Sequence, residues 1–262
     1  MFDSHMHTPL CKHAVGAPAE YVRAAREAGL AGVVMTDHNP MPAWYDADFR
    51  MSLEELPFYW AMMERTRVEA QDFYVGIGLE ADFHPGTEYF VRRLRQQYDY
   101  DYVIGSVHFI GAWPFDHPLH TADYDERDLR EIYTEYFRLI VGAARSGLYH
   151  SIGHLDLPKK FGHVPQGGLL ELAEEALQVI AGEGLALDVN TAGWRKPVEE
   201  LYPGPAVLAR ARELGIQVVL GSDAHKPAEV GHRFAEAADV LSRAGYLEAV
   251  VFRGGKPVPY RL

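Results

Sequence analysis

The segment Gly32-Val33-Val34-Met35-Thr36-Asp37-His38 is a short β-branched run that ends in an acid and a histidine. Valine and threonine favour extended backbone, so the segment predicts a buried strand over Gly32–Thr36 with polar side chains directly after it. The same arrangement recurs along the chain. The other predicted strands are Met1–His5, Phe73–Leu79, Tyr100–Ser106, His150–His154, Leu185–Asn190 and Gln217–Gly221.

Amphipathic stretches lie between these strands, and several end at a helix-stopping glycine, as in Glu27-Ala28-Gly29. The predicted helices are Pro18–Ala28, Leu53–Ala70, Thr87–Gln97, Glu126–Ser146, Leu169–Glu183 and Pro205–Leu214. Repeated strand–helix alternation in 262 residues favours an α/β fold with a parallel sheet. We expect the sheet to close into a barrel, with a doubly wound open sheet as the alternative.

The C-terminal stretch from Ala249 to Tyr260 predicts a strand-like piece that covers one end of the barrel. Pro257 and Pro259 argue against a central strand, because proline cannot donate to a sheet ladder. No low-complexity tract or Gly/Ser linker divides the chain. Residues 1–262 are therefore predicted to form a single domain.

The net charge of −12, without a long basic run, argues against nucleic acid as a partner. A small phosphate could still bind if metal ions supplied a local positive centre. The chain contains no apolar run of 18 residues and begins without a signal-peptide pattern, so no membrane association is expected. Cys11 is the only cysteine, which fits a reducing cytoplasm. A homo-oligomer is left open.

Histidines and acids are concentrated directly after the predicted strands. The C-terminal strand ends of an α/β barrel meet at one face, where active sites are built. His5-Met6-His7 and Asp223-Ala224-His225 each aim two side chains the same way, because residues i and i+2 of an extended chain share a face. The nine candidate metal ligands are His5, His7, His13, His38, Glu80, His108, His154, Asp223 and His225.

Nine ligands exceed the four that one zinc ion takes, so two or three divalent transition-metal ions are predicted. Imidazoles with a few carboxylates suit zinc, with iron or manganese as alternatives. Acids next to the ligands in sequence are predicted to orient the histidines from behind. These acids are Asp3, Asp37, Asp82 and Asp156.

At these residues the chain resembles the polymerase-and-histidinol-phosphatase (PHP) superfamily. The resemblance begins with a His-x-His motif at His5–His7, a Thr-Asp-His motif at Thr36–His38 and a Gly-x-Glu motif at Gly78–Glu80. It continues through Gly105-Ser106-Val107-His108, Gly153-His154-Leu155-Asp156 and Gly221-Ser222-Asp223-Ala224-His225. Together these motifs are highly specific and extend from residue 2 to about residue 226.

The resemblance implies a distorted seven-stranded (β/α)7 barrel, similar to a TIM barrel, with a three-metal cluster. Carried over by position, the first ion would take His5, His7, Glu80 and Asp223. The second would take His108, His154 and Glu80, which would bridge the two ions. The third would take His13, His38 and His225.

Within the superfamily the chain is most similar to the monofunctional histidinol-phosphatases. The similarity lies in Asn190-Thr191-Ala192-Gly193-Trp194-Arg195-Lys196 and in Glu200-Leu201-Tyr202-Pro203. Trp194 departs from the pattern, which has a smaller aliphatic residue there. The resemblance implies hydrolysis of L-histidinol phosphate to L-histidinol and phosphate, a reaction of histidine biosynthesis.

The expected mechanism is in-line attack on phosphorus by a metal-bound hydroxide. Arg195 is predicted to clamp the phosphate with two nitrogens, and Lys160 is a second phosphate-binding candidate. Asp37 or a metal-bound water is expected to protonate the leaving oxygen.

The organic half of the substrate requires a carboxylate for its amine and flat walls for its imidazole. The carboxylate candidates are Asp82, Asp156 and Asp188, and the aromatic candidates are Phe83, Phe109, Trp113 and Phe161.

Three other functions use a similar framework. A nucleotide phosphatase or exonuclease would need basic or aromatic residues along a polynucleotide. A non-catalytic PHP module would be expected to have lost ligands. A metallo-amidohydrolase would be expected to carry a bridging lysine at a strand end.

Overall fold

A computed structural model describes all residues of the chain, from Met1 to Leu262. Seven parallel strands follow one another around a single sheet in chain order. They are β1 (Phe2–Asp3), β2 (Gly32–His38), β3 (Tyr74–Asp82), β4 (Tyr102–Ser106), β5 (Ser151–Ile152), β6 (Ala186–Asn190) and β7 (Val218–Gly221).

Hydrogen bonds between the first and last strands close this sheet into a barrel. The amide of Ser4 donates to the carbonyl of Leu220 at 2.8 Å, and the amide of Asp223 donates to the carbonyl of His5 at 2.7 Å. The predicted barrel is therefore confirmed, and the doubly wound open sheet is wrong.

Seven helices lie around the barrel, and their buried faces pack on the strands. Helix α4, for example, is capped by Asp128, whose side chain accepts a hydrogen bond from the amide of Glu131 at 3.0 Å. Helix α7 was not predicted, whereas the other helices match the predicted segments to within three residues at each end. The helices are α1 (Pro18–Glu27), α2 (Leu56–Glu69), α3 (Glu88–Arg95), α4 (Leu129–Arg145), α5 (Leu169–Gly182), α6 (Pro205–Glu213) and α7 (Phe234–Arg243). None of them combines the length and the apolar character that crossing a membrane requires.

The C-terminal residues form an antiparallel hairpin of two strands, β8 (Glu248–Arg253) and β9 (Lys256–Arg261). Val250, Val251 and Phe252 of β8 pack against side chains near the N-terminal ends of the barrel strands, including Phe2 and Val219. The expected cover at one end of the barrel is thus present. It is a hairpin, and both prolines lie on its outer, exposed strand.

Candidate metal centre and substrate cavity

Glu80 lies at the centre of the nine predicted ligands, near the C-terminal end of β3 and almost fully buried. One carboxylate oxygen, Oε2, lies 3.4 Å from Nε2 of His5 and 3.5 Å from Nε2 of His7. The other oxygen, Oε1, lies 3.0 Å from Nε2 of His154 and 3.5 Å from Nε2 of His108. Oε2 also lies 3.1 Å from Nδ1 of His38, so the two oxygens face two different groups of histidines.

Asp223 completes the first of these groups. Its Oδ1 lies 3.1 Å from Nε2 of His7 and 3.8 Å from Nε2 of His5. The structure therefore brings together the four side chains that the resemblance assigns to one ion.

A third group surrounds His225. Its ring centroid lies 4.5 Å from that of His13 and 6.3 Å from that of His38, and the rings of His13 and His38 are 5.5 Å apart. The ring of His225 also stacks on that of His7 at 4.1 Å. All nine predicted ligands thus converge at the C-terminal end of the barrel.

Two of the predicted ligands have unusual backbone geometry. His154 has a φ of 23° and Asp223 a φ of 52°, values that side chains other than glycine seldom adopt. Each follows the end of its strand, β5 or β7, where the chain turns inward. Such strain is characteristic of functional positions.

Several rings are held from behind by oxygen atoms. Asp188 lies 2.8 Å from Nδ1 of His5, and Asp82 lies 3.0 Å from Nδ1 of His108. The carbonyl of Cys11 lies 2.8 Å from Nδ1 of His13. These contacts leave the opposite ring nitrogens to face the centre.

Of the four acids expected to orient histidines, Asp82 alone hydrogen-bonds to one. Asp3 accepts hydrogen bonds from the amides of Ser222 and Gly231, and Asp156 pairs with Lys159. Their carboxylates serve the backbone and a buried lysine, so the expectation is wrong for both.

Buried ring nitrogens without a hydrogen-bond partner indicate what the centre is built to hold. Burying a polar atom without a partner costs free energy, and native proteins rarely tolerate several together. The atoms in question are His5 Nε2, His7 Nδ1 and Nε2, His38 Nδ1, His154 Nδ1 and His225 Nε2. Imidazole nitrogens around two carboxylates match the donor set of transition-metal ions.

The carboxylates of the centre are held in their anionic form. Burial raises the pKa of Glu80, but His38 and His5 outweigh it and hold that pKa well below its usual range. Burial likewise raises the pKa of Asp223, and neighbouring histidines hold it low. Burial lowers the pKa of His225 well below its ordinary value. At His7 and His108, by contrast, nearby carboxylates outweigh burial and raise the pKa to about 9 and about 10. Because metals bind anionic carboxylates and neutral imidazoles, ions bound at this centre would displace protons from these two rings.

A cavity of 620 Å³ opens above this centre. Its walls carry both signs of charge, with apolar side chains between them. The cations are Arg50, Lys160, Arg195 and Lys196, the acids beyond the ligands are Asp46, Asp116 and Glu229, and the apolar walls include Phe49, Phe109, Leu119 and Leu157. The volume and the mixed charge suit a small zwitterionic molecule.

Both predicted phosphate-binding residues line this cavity. Nη2 of Arg195 donates to the carbonyls of Ser222 at 2.8 Å and Asp223 at 3.1 Å, whereas Nη1 is buried and has no partner. The predicted two-nitrogen clamp is therefore reduced to one free terminal nitrogen. Nζ of Lys160 lies 3.0 Å from Oδ2 of Asp116, so this lysine is already paired.

The expected role of Asp37 as a proton donor does not fit its position. Asp37 is fully buried, accepts hydrogen bonds from Thr8 and from the amide of His38, and does not line the cavity. Its carboxylate lies 3.5 Å from Nδ1 of His7. Its position suits support of that ring.

The side chains expected to read the organic half of the substrate are also mostly elsewhere. None of Asp82, Asp156 and Asp188 lines the cavity. Each is buried and bonded to another side chain, Asp82 to Tyr45, Asp156 to Lys159 and Asp188 to His5. Of the four aromatic candidates, Phe109 alone lines it.

Two of the three acids beyond the ligands that do line the cavity, Asp46 and Asp116, lie in the long loops after β2 and β4. No motif marks them. The one feature of the sequence that could have indicated these acids is the length of the loops after β2 and β4, because loops at the C-terminal ends of barrel strands carry binding residues.

The geometry and the motifs define a class of protein, and comparison with known families agrees. The PHP domain family matches residues 3–192, and the PHP-associated family matches residues 207–242. The chain belongs to the PHP domain family.

The similar proteins specify the branch of that family. The chain is 57% identical to a probable histidinol-phosphatase of Deinococcus radiodurans over 98% of each chain. It is 28% identical to the histidinol-phosphatase of Bacillus subtilis over 88% of this chain and 96% of that one. A crystal structure of histidinol phosphate phosphatase from Lactococcus lactis, complexed with zinc, L-histidinol and phosphate, superposes with a TM-score of 0.86 at 24% identity over 98% of each chain. The likeness to that structure shows the fold.

Proposed function

We propose that this protein is a histidinol-phosphatase, which hydrolyses L-histidinol phosphate to L-histidinol and phosphate in histidine biosynthesis. The observation that carries the chemistry is Glu80, whose two oxygens face two groups of histidines beneath a cavity with cationic walls. The 57% identity to a probable histidinol-phosphatase over nearly the whole chain carries the substrate.

The nine converging side chains are proposed to hold two or three divalent transition-metal ions, zinc with iron or manganese as alternatives. Bound ions supply Lewis-acid catalysis at the phosphate and activate water at neutral pH. Zinc in the structure of the Lactococcus lactis enzyme supports this assignment.

The remaining cavity residues are proposed to bind and orient the substrate. Nη1 of Arg195, which has no partner in the protein, is available to a phosphate oxygen. Lys160 adds positive charge on the same cavity. The carboxylates of Asp46, Asp116 and Glu229, which pair with Arg50, Lys160 and Lys226 in the protein, are proposed to bind the ammonium group of histidinol as a further cationic partner.

The whole chain is proposed to act as a single domain in the cytoplasm. One cluster of buried apolar side chains extends from Met6 to Ala249, which favours one folding unit. A net charge of −12 disfavours nucleic acid as a partner, and the small cavity favours a small phosphomonoester.

The test is a comparison of kcat/KM on metal-reconstituted protein. The substrates are L-histidinol phosphate, nucleoside monophosphates, phosphoserine and a short DNA strand. Binding energy from the organic half should favour L-histidinol phosphate by orders of magnitude. If a nucleotide or the DNA strand matches it, the substrate assignment fails, whereas the metal assignment is tested separately by elemental analysis.

A further inference from the structure

Tyr202 lines the cavity, although it lies far along the chain from most of the metal-centre residues. Its side chain is almost fully buried, with 1% of the residue exposed. The segment from Asn190 to Tyr202, which follows β6, also carries Arg195 and Lys196. The three cavity-lining residues Arg195, Lys196 and Tyr202 thus come from one loop.

The backbone of Tyr202 is held firmly on both sides. The amide of Asn190 donates to the carbonyl of Tyr202 at 2.7 Å, and the amide of Tyr202 donates to the carbonyl of Asn190 at 3.1 Å. Nζ of the buried Lys159 donates to the carbonyl of Leu201 at 2.8 Å. The packing is tight, since a Cβ at Gly193 would lie 1.9 Å from the carbonyl oxygen of Glu200 and 3.1 Å from Cε2 of Tyr202. The tyrosine ring is therefore fixed in place.

The hydroxyl of this ring is nevertheless buried without any hydrogen-bond partner. Neighbouring tyrosines are satisfied, since the hydroxyl of Tyr124 donates to the carbonyl of Pro158 at 3.1 Å and that of Tyr136 donates to the carbonyl of His154 at 3.3 Å. Only two other tyrosine hydroxyls are buried and unpartnered, those of Tyr100 and Tyr260, and neither residue lines the cavity. A buried, unpaired hydroxyl on a residue that lines the cavity costs stability, which suggests that a bound ligand supplies its hydrogen-bond partner.

The charges around this hydroxyl keep its proton in place. Burial raises the pKa of Tyr202, and the carboxylates of Asp156, Asp223 and Asp116 raise it further. Asp223 and Asp116 both line the cavity. Because the hydroxyl stays protonated at neutral pH, it can offer a hydrogen bond to an anionic acceptor.

We propose that the Tyr202 hydroxyl donates a hydrogen bond to a phosphate oxygen of the bound substrate, which makes Tyr202 a further substrate-binding residue. The proposal rests on the proposed phosphatase function. Nη1 of Arg195 is the other buried, unpartnered donor that the loop presents at the cavity. Together they would contact the phosphate from the same wall.

The experiment compares Tyr202→Phe with the matched control Tyr100→Phe, in metal-loaded protein. Each variant removes one buried, unpartnered hydroxyl and keeps the ring. We expect both variants to be at least as stable as the wild type in denaturant unfolding, because an unsatisfied polar group is lost. We expect Tyr202→Phe alone to lower kcat/KM, by about 10- to 100-fold, the range for a hydrogen bond to a charged group.

Binding of inorganic phosphate, measured by calorimetry, gives a readout that does not depend on the substrate. Tyr202→Phe should weaken phosphate binding about tenfold or more and leave binding of L-histidinol unchanged. Unchanged phosphate binding would overturn the proposal, and so would a weakening confined to L-histidinol. A loss of stability together with activity would also overturn it, because that result indicates a structural role. If L-histidinol phosphate is not hydrolysed but phosphate binding still depends on Tyr202, the proposed function fails and the contact stands.

Discussion

Glu80 contacts two histidine groups through different oxygens, 3.4 and 3.5 Å from His5 and His7 and 3.0 and 3.5 Å from His154 and His108. Such a carboxylate is suited to bridge two ions. We expect Glu80→Gln to lose more than one metal equivalent per chain, because the substitution removes the shared anionic ligand from both groups.

Elemental analysis of the reconstituted variant measures the stoichiometry. The control is Glu175→Gln, whose side chain is 75% exposed on α5 and which should keep the wild-type content. Loss of only one ion from the Glu80 variant would contradict the bridge.

Arg195 keeps one guanidinium nitrogen free, since the other terminal nitrogen is bonded to the backbone of Ser222 and Asp223. We expect Arg195→Ala to lower kcat/KM by about 10²-fold, the effect of losing a charge-assisted hydrogen bond to phosphate. Metal content should stay at the wild-type level.

Steady-state kinetics with elemental analysis test this second expectation. Arg233→Ala is the control, because Arg233 lies over the ring of Trp194 at 4.3 Å but does not line the cavity. Near-wild-type kinetics for Arg195→Ala would remove Arg195 from substrate binding.

At the scale of elements, Asp101 attaches the C-terminal hairpin to the barrel. Its carboxylate accepts hydrogen bonds from the amides of Gly254 at 2.8 Å and Ile77 at 2.9 Å, and pairs with Arg67. We expect Asp101→Ala to lower the free energy of unfolding by about 1–3 kcal/mol, because the part-buried amide of Ile77, the exposed amide of Gly254 and Arg67 lose their acceptor.

Denaturant unfolding measures that loss, and kcat/KM should be little changed because the metal centre lies at the opposite end of the barrel. The neighbouring exposed residue supplies the control, Asp99→Ala, which should unfold like the wild type. Equal stability of the two variants would show that the hairpin is held by apolar packing alone.

His150 connects β4 with the C-terminal hairpin. Its Nδ1 accepts a hydrogen bond from the amide of Val103 at 2.9 Å, and its ring stacks on that of Phe252 at 5.2 Å. Burial, with the nearby charge of Arg95, lowers the pKa of His150 from 6.5 to about 4.

Between about pH 6.5 and pH 4 the unfolded chain therefore binds a proton at this histidine that the folded protein does not. Protonation of the unfolded chain therefore lowers the free energy of unfolding as pH falls through that window, by up to about 3 kcal/mol. Above about pH 6.5 this histidine makes no such difference. We expect His150→Asn, which keeps an acceptor for the amide, to lose less stability between pH 7 and pH 5 than the wild type. Unfolding at the two pH values measures this difference, and equal losses would contradict the assignment.

At the scale of the whole molecule, the proposed metal centre joins residues from six strand ends and from the first loop. Ions bound there would stabilise the folded state and not the unfolded state, because unfolding separates the side chains that hold them. We expect removal of metal with a chelator to lower Tm by about 10 °C, the shift for a few kcal/mol in a protein of this size.

Calorimetry with and without chelator tests this last expectation, with circular dichroism to verify that the barrel remains folded. Readdition of zinc should restore Tm. In Glu80→Gln the effect of the chelator should be much smaller. An identical Tm for the loaded and the chelated wild type would contradict a metal-stabilised barrel.

Much of the fold could be read from local pattern. Strand β2 and helix α5 lie where β-branched runs and apolar periodicity predict them, because the type of a regular element is indicated by the residues within that segment. The observed ends of these elements differ from the predicted ones, and for a strand the end is decided by pairing with its neighbour. Strand β2 continues through His38 because Asp37 and His38 pair with Leu79 and Glu80 of β3.

The sequence by itself determined the barrel class, the nine converging ligands and the family, because strand-end position and i, i+2 spacing place side chains whatever the loops do. Only the tertiary structure decided which carboxylate serves which group. Asp188 lies 183 positions from His5 and meets it only because the barrel closes. The cavity walls, including Asp116 and Tyr202, were likewise decided by long-range packing, which no local pattern records.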